Sequence, residues 1–207
     1  PVNNTVAPTI HRYSVPVELS GNQNVPWALR ANEVYNHPEY RETIINLAHL
    51  YVNMGHKVLI VSDRTELIQT ILEALTQRGV TTYEIIGATH LDDRLKIQED
   101  IAKGGPCVLA AAQSIFSEGI SLNELSCLIM GSLINNESLI EQLAGRVQRI
   151  VEGKLDPIVV DLIMKGGTGL RQASGRMAVY RNNGWKTITM TPEKAVQLAK
   201  ISFVNSS

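Results

Sequence analysis

The stretch KVLIVS at Lys57–Ser62 is apolar between its ends and rich in β-branched side chains, which is typical of a buried strand in a parallel sheet. Before it, apolar residues recur at helical spacing as far as Gly55. After it, a second helical stripe runs from Leu67 to Leu75 and stops at Gly79. A strand between two helices is the repeating unit of an α/β fold, so this stretch predicts a sheet with crossover helices.

The same alternation continues along the chain. Apolar stretches predict four more strands: TYEIIG (82–87), PCVLAAA (106–112), SCLIMGS (126–132) and PIVVDL (157–162). Capping patterns at Asp63-x-x-Glu66 and Thr89-x-x-Asp92 indicate two helix starts, and a long helix is expected from about Asn136 to Val151. These elements predict a doubly wound α/β domain over 37–163, with a mainly parallel sheet, helices on both faces and ligands at the carboxyl ends of the strands.

The two ends of the chain differ in character from this core. Residues 1–36 are interpreted as a connection with a candidate edge strand in RYSVPVEL, and the polar start at Pro1 favours a cut within a longer chain. Residues 164–207 predict a small C-terminal α/β appendage: the glycine-rich KGGTG, a basic helix, the strand KTITM and a last helix. The arginines of the basic helix favour a solvated face over a DNA contact: Arg171, Arg176 and Arg181.

Composition excludes several classes of function. Hydrophobic residues make up 44% of the chain and charged residues 19%, as in ordinary soluble domains, and no apolar stretch is long enough to cross a membrane. The formal net charge of -1 means that any nucleic acid must be held by local groups rather than by a bulk basic field. Cys107 and Cys127 lack the spacing of a metal or redox site and are expected to be buried thiols in a reducing, cytoplasmic compartment.

The segment ESLIEQLAGRVQRIV (Glu137–Val151) carries the most informative pattern. On a continuous helix its apolar residues share one broad side, which packs on the sheet: Leu139, Ile140, Leu143, Ala144, Val147, Ile150 and Val151. Gln142, Arg146 and Arg149 fall on the opposite side, with Gly145 leaving room for a ligand near the backbone. Planar, permanently charged donors in this arrangement suit a polyphosphate, and a solvated basic face is the alternative.

Here the sequence resembles the superfamily 2 helicases. Gln142-x-x-Gly145-Arg146-x-x-Arg149 is similar to their motif VI, and Ser117-Glu118-Gly119-Ile120-Ser121 is similar to their motif V. VLIVSDR resembles motif IV, and Ile86-Gly87-x-Thr89 followed by Asp93-Arg94 resembles the turn and helix between them. The resemblance covers roughly 37–163, and the F-S-x-G-I-S form of motif V is similar to that of phage-type helicases that unwind and branch-migrate forked or junction DNA.

The resemblance implies a RecA-like helicase C-terminal domain and a role for each matching residue. Its arginines reach the γ-phosphate of a nucleotide across a domain interface, which makes the expected catalytic group Arg146, Arg149 and Gln142. The residues expected near the cofactor are Glu118, Gly119 and Gly145. The expected nucleic-acid contacts are Ser62, Asp63, Arg64, Thr89, Gln113 and Ser114. Gln113 and Ser121 depart from the family's usual threonine and aspartate, so those two contacts do not carry over as usual.

Each of these assignments has a simpler alternative. Gly119 could serve only a left-handed turn, Glu118 could be a surface carboxylate, and Asp63 could only cap a helix. The chain contains no G-x-x-x-x-G-K-[ST] loop and no metal site is predicted in it. The domain therefore cannot form a complete ATPase alone, and the resemblance implies that ATP and Mg²⁺ are bound mainly by an N-terminal RecA-like domain of the same protein. The expected polymer is forked or branched DNA, with RNA as the alternative, and the rival to a helicase is a non-catalytic module that binds nucleic acid or protein.

Overall fold

A computed structural model describes the backbone of residues 4–206 and the side chains of 4–198 and 200. Its strands are β1 (Thr9–Glu18), β2 (Lys57–Ser62), β3 (Thr82–Ile85), β4 (Cys107–Ala112), β5 (Cys127–Met130), β6 (Ile158–Lys165) and β7 (Lys186–Met190). Its helices are α1 (Trp27–Tyr35), α2 (Pro38–Asn53), α3 (Thr65–Gln77), α4 (Leu91–Lys103), α5 (Glu137–Gly145), α6 (Gly166–Asn182) and α7 (Pro192–Ser206). A 3₁₀ helix at Gln113–Glu118 follows β4.

The strands form one sheet in the order β3-β4-β2-β5-β6-β1-β7, and every pair of neighbours is parallel. After β4 the chain crosses β2 and enters the sheet again as β5 on the other side. Strands are thus added first on one side of β2 and then on the other. In an open parallel sheet, such a reversal of strand order leaves a crevice outside the carboxyl ends of the strands. The predicted parallel α/β sheet is confirmed, and the segments predicted to bind nucleic acid follow the carboxyl ends of β2, β3 and β4.

The central strands are buried on both faces. Val58 and Ile60 of β2 point into an apolar cluster with α2 and α3, whereas Leu59 and Val61 point into a second cluster with α4 and α5. Because both sides of the strand are covered, the four residues between Lys57 and Ser62 are all apolar. Cys107 and Cys127 are free and buried, as predicted.

The N-terminal strand lies inside the sheet and is not an edge strand. β1 pairs with β6 on one side and with β7 on the other, so β7 takes the outer position. The edge prediction was wrong because the partner β7 lies far along the chain in the segment set apart as an appendage. α1 also falls within 1–36, which the sequence assigned to a connection.

Arg176 is not on a solvated face, because its side chain is only 6% exposed. Its Nε donates to Asp161 Oδ1 at 2.5 Å, and Arg12 Nε donates to Asp161 Oδ2 at 2.8 Å. The one carboxylate of β6 thus joins α6 and β1. Arg171 and Arg181 of the same helix are exposed.

The helix that carries the arginine motif is shorter than predicted. Asn136 caps α5, its side chain accepting from the Leu139 amide at 3.0 Å, but the helix ends at Gly145. Arg146 donates its amide N–H to Leu143 at the tightened end of the helix, and Arg149 lies beyond it. Ile150, expected on the apolar side, is 56% exposed. Arg146 and Arg149 therefore do not share one helical face.

Candidate functional site

A cleft of about 330 Å³ lies between the 3₁₀ helix and α5. It brings together four of the residues predicted to be functional: Gln113, Ser114, Gln142 and Arg146. The rest of its lining is formed by Phe116, Ser117, Leu139 and Leu143. Segments that resemble motifs V and VI thus form one concave site, although they are separated along the chain.

Arg146 forms the link between the two walls of this cleft. Its guanidinium lies 4.9 Å from the centre of the Phe116 ring and donates to the Phe116 carbonyl at 3.0 Å and the Ile120 carbonyl at 3.4 Å. These contacts leave the side chain partly buried. Arg146 therefore contributes to the packing of the domain, contrary to the expectation that it projects freely.

The turn that follows the 3₁₀ helix depends on Gly119 and on an ion pair. Gly119 has a φ of 84°, a left-handed conformation in which any other residue would be strained. The preceding Glu118 accepts from the guanidinium of Arg94 in α4. Arg94 is buried and also donates to the carbonyls of Ile86, Gly87 and Thr89. Arg94 thus ties this turn to the loop after β3, and half of the Glu118 side chain remains exposed.

Arg149 is the predicted arginine whose guanidinium stays exposed to solvent. In the described part of the chain no carboxylate lies within ion-pair distance of it. Its backbone, by contrast, is held in an isolated antiparallel bridge with Thr5. An exposed guanidinium on an ordered backbone is suited to an anionic ligand that approaches from outside the domain.

Lys154 forms hydrogen bonds to the backbone of Arg149 and of two other residues. Its ammonium donates to the carbonyls of Arg149 at 2.7 Å, Val147 at 2.9 Å and Asn123 at 3.0 Å. Burial lowers the pKa of Lys154 to about 8, and the charge of Glu124 opposes this shift. The side chain is therefore mainly protonated at neutral pH and keeps its hydrogen-bond donors.

At the end of β2, Ser62 is not available to a ligand. Its side chain is fully buried, with its Oγ 3.0 Å from Ser132 Oγ, and it accepts from the Arg64 amide at 3.1 Å. Ser132 Oγ accepts from the Asp63 amide at 3.2 Å and donates to the Asp63 carboxylate at 2.8 Å. The prediction that Ser62 contacts nucleic acid was wrong, because Ser132 of the loop after β5 encloses it.

Asp63 and Arg64 remain accessible beside this buried pair of serines. The Asp63 side chain is 61% exposed and that of Arg64 38%, and the Arg64 guanidinium lies 5.2 Å from the centre of the Tyr35 ring. Asp63 does not cap α3 as predicted, since the residue at the cap is Arg64 and no side chain caps the helix. Arg64 is thus the accessible cation at this position.

Thr89 stabilises its own turn rather than the start of α4. Its Oγ1 accepts from the Ile86 amide at 3.0 Å, and its amide donates to the Ile86 carbonyl at the same distance. The cap position of α4 is occupied by His90, without a side-chain bond. The predicted cap was wrong because the hydroxyl is used one turn earlier.

Sequence reasoning missed the positioning roles of Arg94, Phe116 and Lys154. The Asp93-Arg94 pair was noticed only as part of a resemblance, and Lys154 lies in a polar segment without periodicity. Their roles follow from tertiary contacts: Arg94 and Lys154 donate to backbone carbonyls of neighbouring loops, and Phe116 contacts the Arg146 guanidinium. Spacing along the chain does not report such contacts. The described residues contain no cluster of three or more His, Cys, Asp or Glu side chains that could hold a metal ion. In the part of the chain described here, no helix is both long and apolar enough to span a membrane.

Solved structures with this fold identify its class. The chain matches phage T4 UvsW with a TM-score of 0.73 at 14% identity, covering 88% of this chain and 41% of that one. It matches the C-terminal domain of the DEAD-box protein Dbp5 with a TM-score of 0.66 at 12% identity, covering 96% and 97%. At such low identity these matches show the fold alone, which is the RecA-like fold of helicase C-terminal domains.

The family follows from the sequence comparisons. The model of the family described as "Helicase conserved C-terminal domain" matches residues 40–151, which is more than half of the chain. The chain belongs to this family, and the predicted resemblance is confirmed. It is also 99% identical over its whole length to the "Probable helicase D10" of Escherichia phage T5, and it spans 46% of the length of that protein. A plant relative, "Protein CHROMATIN REMODELING 24" of Arabidopsis thaliana, is 29% identical over 153 residues, covering 73% of this chain and 14% of that protein.

Proposed function

We propose that this chain is the C-terminal motor domain of an ATP-dependent DNA helicase that unwinds or branch-migrates forked or junction DNA. An N-terminal domain of the same protein binds ATP and Mg²⁺, and this chain completes the site across the interface between the domains. The observation that carries the proposal is the cleft between the 3₁₀ helix and α5, with Gln142 and Arg146 in its wall and the exposed Arg149 beyond α5. Closing and opening of the interface would couple hydrolysis to movement along a strand.

The exposed residues of motif VI fit the triphosphate of a nucleotide. Arg149 offers a planar, permanently charged group that no acidic side chain of the described residues neutralises. Gln142 is exposed, and a Cβ built on Gly145 would meet no atom within 4 Å, so the backbone there is open to a partner. Bound nucleotide would supply the phosphoryl group, and Arg149 would stabilise the negative charge that develops on it.

We assign Arg146 and Glu118 roles in shaping the nucleotide site, because both are held by other residues of the domain. Arg146 lies against Phe116 and joins the walls of the cleft, so it reaches a nucleotide only by giving up one of its carbonyl contacts or by using the remaining N–H groups. Glu118 is bound by Arg94 and, with Gly119, shapes the turn beside the cleft. Both remain candidates for contact with the nucleotide when the domains close.

The nucleic-acid strand is proposed to cross the carboxyl ends of β2, β3 and β4. Arg64 supplies a charge to a backbone phosphate, and Thr89, Gln113 and Ser114 offer hydrogen-bond donors near it. The Asp63 carboxylate lies 3.8 Å from the Arg64 Nε, so its part would be to orient that guanidinium rather than to bind the phosphate. Such contacts hold the sugar–phosphate backbone without reading bases. DNA is the polymer we favour, with RNA as the alternative.

We expect the isolated chain to melt cooperatively but to hydrolyse no ATP. It has a continuous core on both faces of one sheet, but it has no phosphate-binding loop of the Walker type. The measurement is phosphate release from Mg·ATP by the purified chain, with and without single-stranded DNA, beside a thermal melt. Robust metal-dependent ATP hydrolysis that copurifies with the folded chain would contradict the proposal that another domain binds the ATP.

We expect the isolated chain to bind single-stranded DNA weakly, without sequence preference and less tightly as salt rises. Arg64→Ala should weaken binding and lower the slope of log K against log salt by about 0.7, the value for one phosphate contact on a single strand. Arg78→Ala is the matched control, since Arg78 is an exposed arginine at the other end of α3. Fluorescence anisotropy at several salt concentrations measures both. Equal losses for the two variants would remove Arg64 from the proposed path of the strand.

A non-catalytic binding module is the second candidate, and the packing of Arg146 favours it. A guanidinium that stacks on Phe116 and binds two carbonyls would be retained for stability even without a nucleotide. The discriminating observation is whether the protein carries a phosphate-binding loop upstream of this chain. Its presence supports the motor, and its absence supports the module.

A further inference from the structure

The backbone at Arg149 is held by residues from the opposite end of the chain. The Val6 amide donates to the Gln148 carbonyl at 2.9 Å, and the Ile150 amide donates to the Asn4 carbonyl at 2.9 Å. The Gln148 side-chain amide also donates to the Val6 carbonyl at 3.2 Å. We call residues 4–6 the N-terminal brace. Only Ala7 and Pro8 separate it from β1, so it joins the start of the sheet to the segment that carries Arg149.

Lys154 holds the same segment through another set of atoms. The brace bonds to the backbone of Gln148 and Ile150, whereas the Lys154 ammonium donates to the carbonyls of Val147 and Arg149. The third acceptor of Lys154, the Asn123 carbonyl, belongs to the loop between the 3₁₀ helix and β5. Lys154 therefore links the segment that carries Arg149 to the chain that follows motif V.

We propose that the N-terminal brace and Lys154 are positioning elements that set where the Arg149 guanidinium is presented to a nucleotide on another domain. The proposal rests on the proposed function. α5 has ended before Arg149, and the last turn-type bond beyond it is a long one, from the Gln148 amide to the Gly145 carbonyl at 3.5 Å. The brace and Lys154 supply the other hydrogen bonds to the backbone on either side of Arg149 and at Arg149 itself. The position of a group that stabilises a transferring phosphoryl matters greatly, since a displacement of about 1 Å can cost about a hundredfold in rate.

The brace also suggests how the connection between two domains affects catalysis. If a nucleotide-binding domain precedes this chain, the backbone that arrives from it pairs with residues 148–150 before it enters β1. A change in the path of this connection would then move Arg149 directly. The brace would thus make catalysis depend on the arrangement of the two domains through three hydrogen bonds.

Val6→Pro tests the brace with little other change. Proline removes the Val6 N–H and favours an extended residue before it, which Thr5 already needs in the bridge. Ala7→Pro is the matched control, since Ala7 is exposed and no hydrogen bond of its amide is found among the described residues. In a protein with both domains, we expect Val6→Pro to lower kcat for ATP on the order of tenfold, with the KM for ATP and the Tm nearly unchanged. Ala7→Pro should leave all three unchanged.

A double-variant comparison shows whether Val6 acts through Arg149. We expect Val6→Pro to have no further effect on kcat once Arg149→Ala is present, because the positioned group is then gone. Two results would overturn the proposal. One is an equal kcat for Val6→Pro and Ala7→Pro, and the other is an equal fold-loss of kcat from Val6→Pro whether Arg149 is present or replaced by alanine. If Arg149→Ala alone leaves turnover intact, the proposed function fails first, which separates the two cases.

Hydrogen exchange on the chain itself gives a readout that needs no nucleotide. We expect amides in residues 147–151 to exchange faster in Val6→Pro and in Lys154→Met than in the parent or in Ala7→Pro. Lys154→Met keeps the length of the side chain but removes the donors to three carbonyls. Unchanged exchange in both variants would show that neither group orders the backbone at Arg149, and would overturn the proposal.

Discussion

Arg149→Ala should lower ATP turnover by about a thousandfold in a protein that contains both domains, with little change in Tm. The guanidinium is exposed and has no acidic partner in the described residues, so its removal opens no cavity and breaks no ion pair. The loss should appear in kcat rather than in the KM for ATP, because the contact is made chiefly as charge develops on the phosphoryl group. Steady-state phosphate release and strand separation, measured beside a thermal melt, check the result.

Two further variants sharpen this prediction. Arg149→Lys should fail to restore turnover, since lysine keeps the charge but lacks the planar fork that binds two oxygens. Arg181→Ala, which removes an exposed arginine from α6, is the control and should behave like the parent. Near-normal turnover in Arg149→Ala would favour the binding module over the motor.

Arg146→Ala should differ from Arg149→Ala in its effect on the fold. Its guanidinium stacks on Phe116 and binds the carbonyls of Phe116 and Ile120, so truncation should lower Tm as well as turnover. The sequence alone predicted no loss of stability here, because on a continuous helix both arginines would project away from the core. A comparison of Tm and turnover between the two variants therefore separates the packing role of Arg146 from the catalytic role of Arg149.

Asp161→Ala should be the most destabilising single substitution that we propose, at about 3–5 kcal/mol of the free energy of unfolding. Asp161 is 1% exposed and accepts from two guanidinium groups, those of Arg12 and Arg176. Removing the carboxylate leaves two positive charges beneath α6 without a counter-ion, and desolvation makes such charges costly. Urea denaturation of the isolated chain measures the change.

The matched control is an exposed ion pair on α4. Glu99 and Lys103 form an i,i+4 pair with both side chains largely in solvent, so Glu99→Ala should leave the denaturation midpoint almost unchanged. A midpoint for Asp161→Ala that matches the one for Glu99→Ala would show that the buried carboxylate does not hold α6 on the sheet.

Local sequence patterns predicted the elements of the core well. Strand β2 was predicted with its observed bounds, and the stops at Gly55 and Gly79 correspond to glycines with positive φ. These features depend on hydrophobic periodicity and on the conformational freedom of glycine, which are properties of neighbouring residues. The sequence did not predict the cleft between motifs V and VI: the resemblance marked Gln142 and Arg146 as functional, but not that they would line a cleft with Gln113 and Ser114.

Several of the errors share one physical cause, which is competition from partners distant in the chain. Residues 148–150 leave the helix because the brace at 4–6 offers them hydrogen bonds and Gly145 weakens helix propagation. Ser62 is enclosed by Ser132, and Arg176 is drawn inward by Asp161. No spacing rule reports these pairings, since each depends on how the sheet is assembled.

The affinity of the two-domain protein for a transition-state analogue of phosphoryl transfer tests the central claim most directly. The analogue is ADP with aluminium fluoride, compared with ADP alone in parent and Arg149→Ala proteins by calorimetry. We expect the parent to bind the analogue on the order of a hundredfold more tightly than ADP. Arg149→Ala should lose most of this preference while its affinity for ADP stays the same. A full preference for the analogue in Arg149→Ala would contradict the claim that this chain supplies a catalytic arginine.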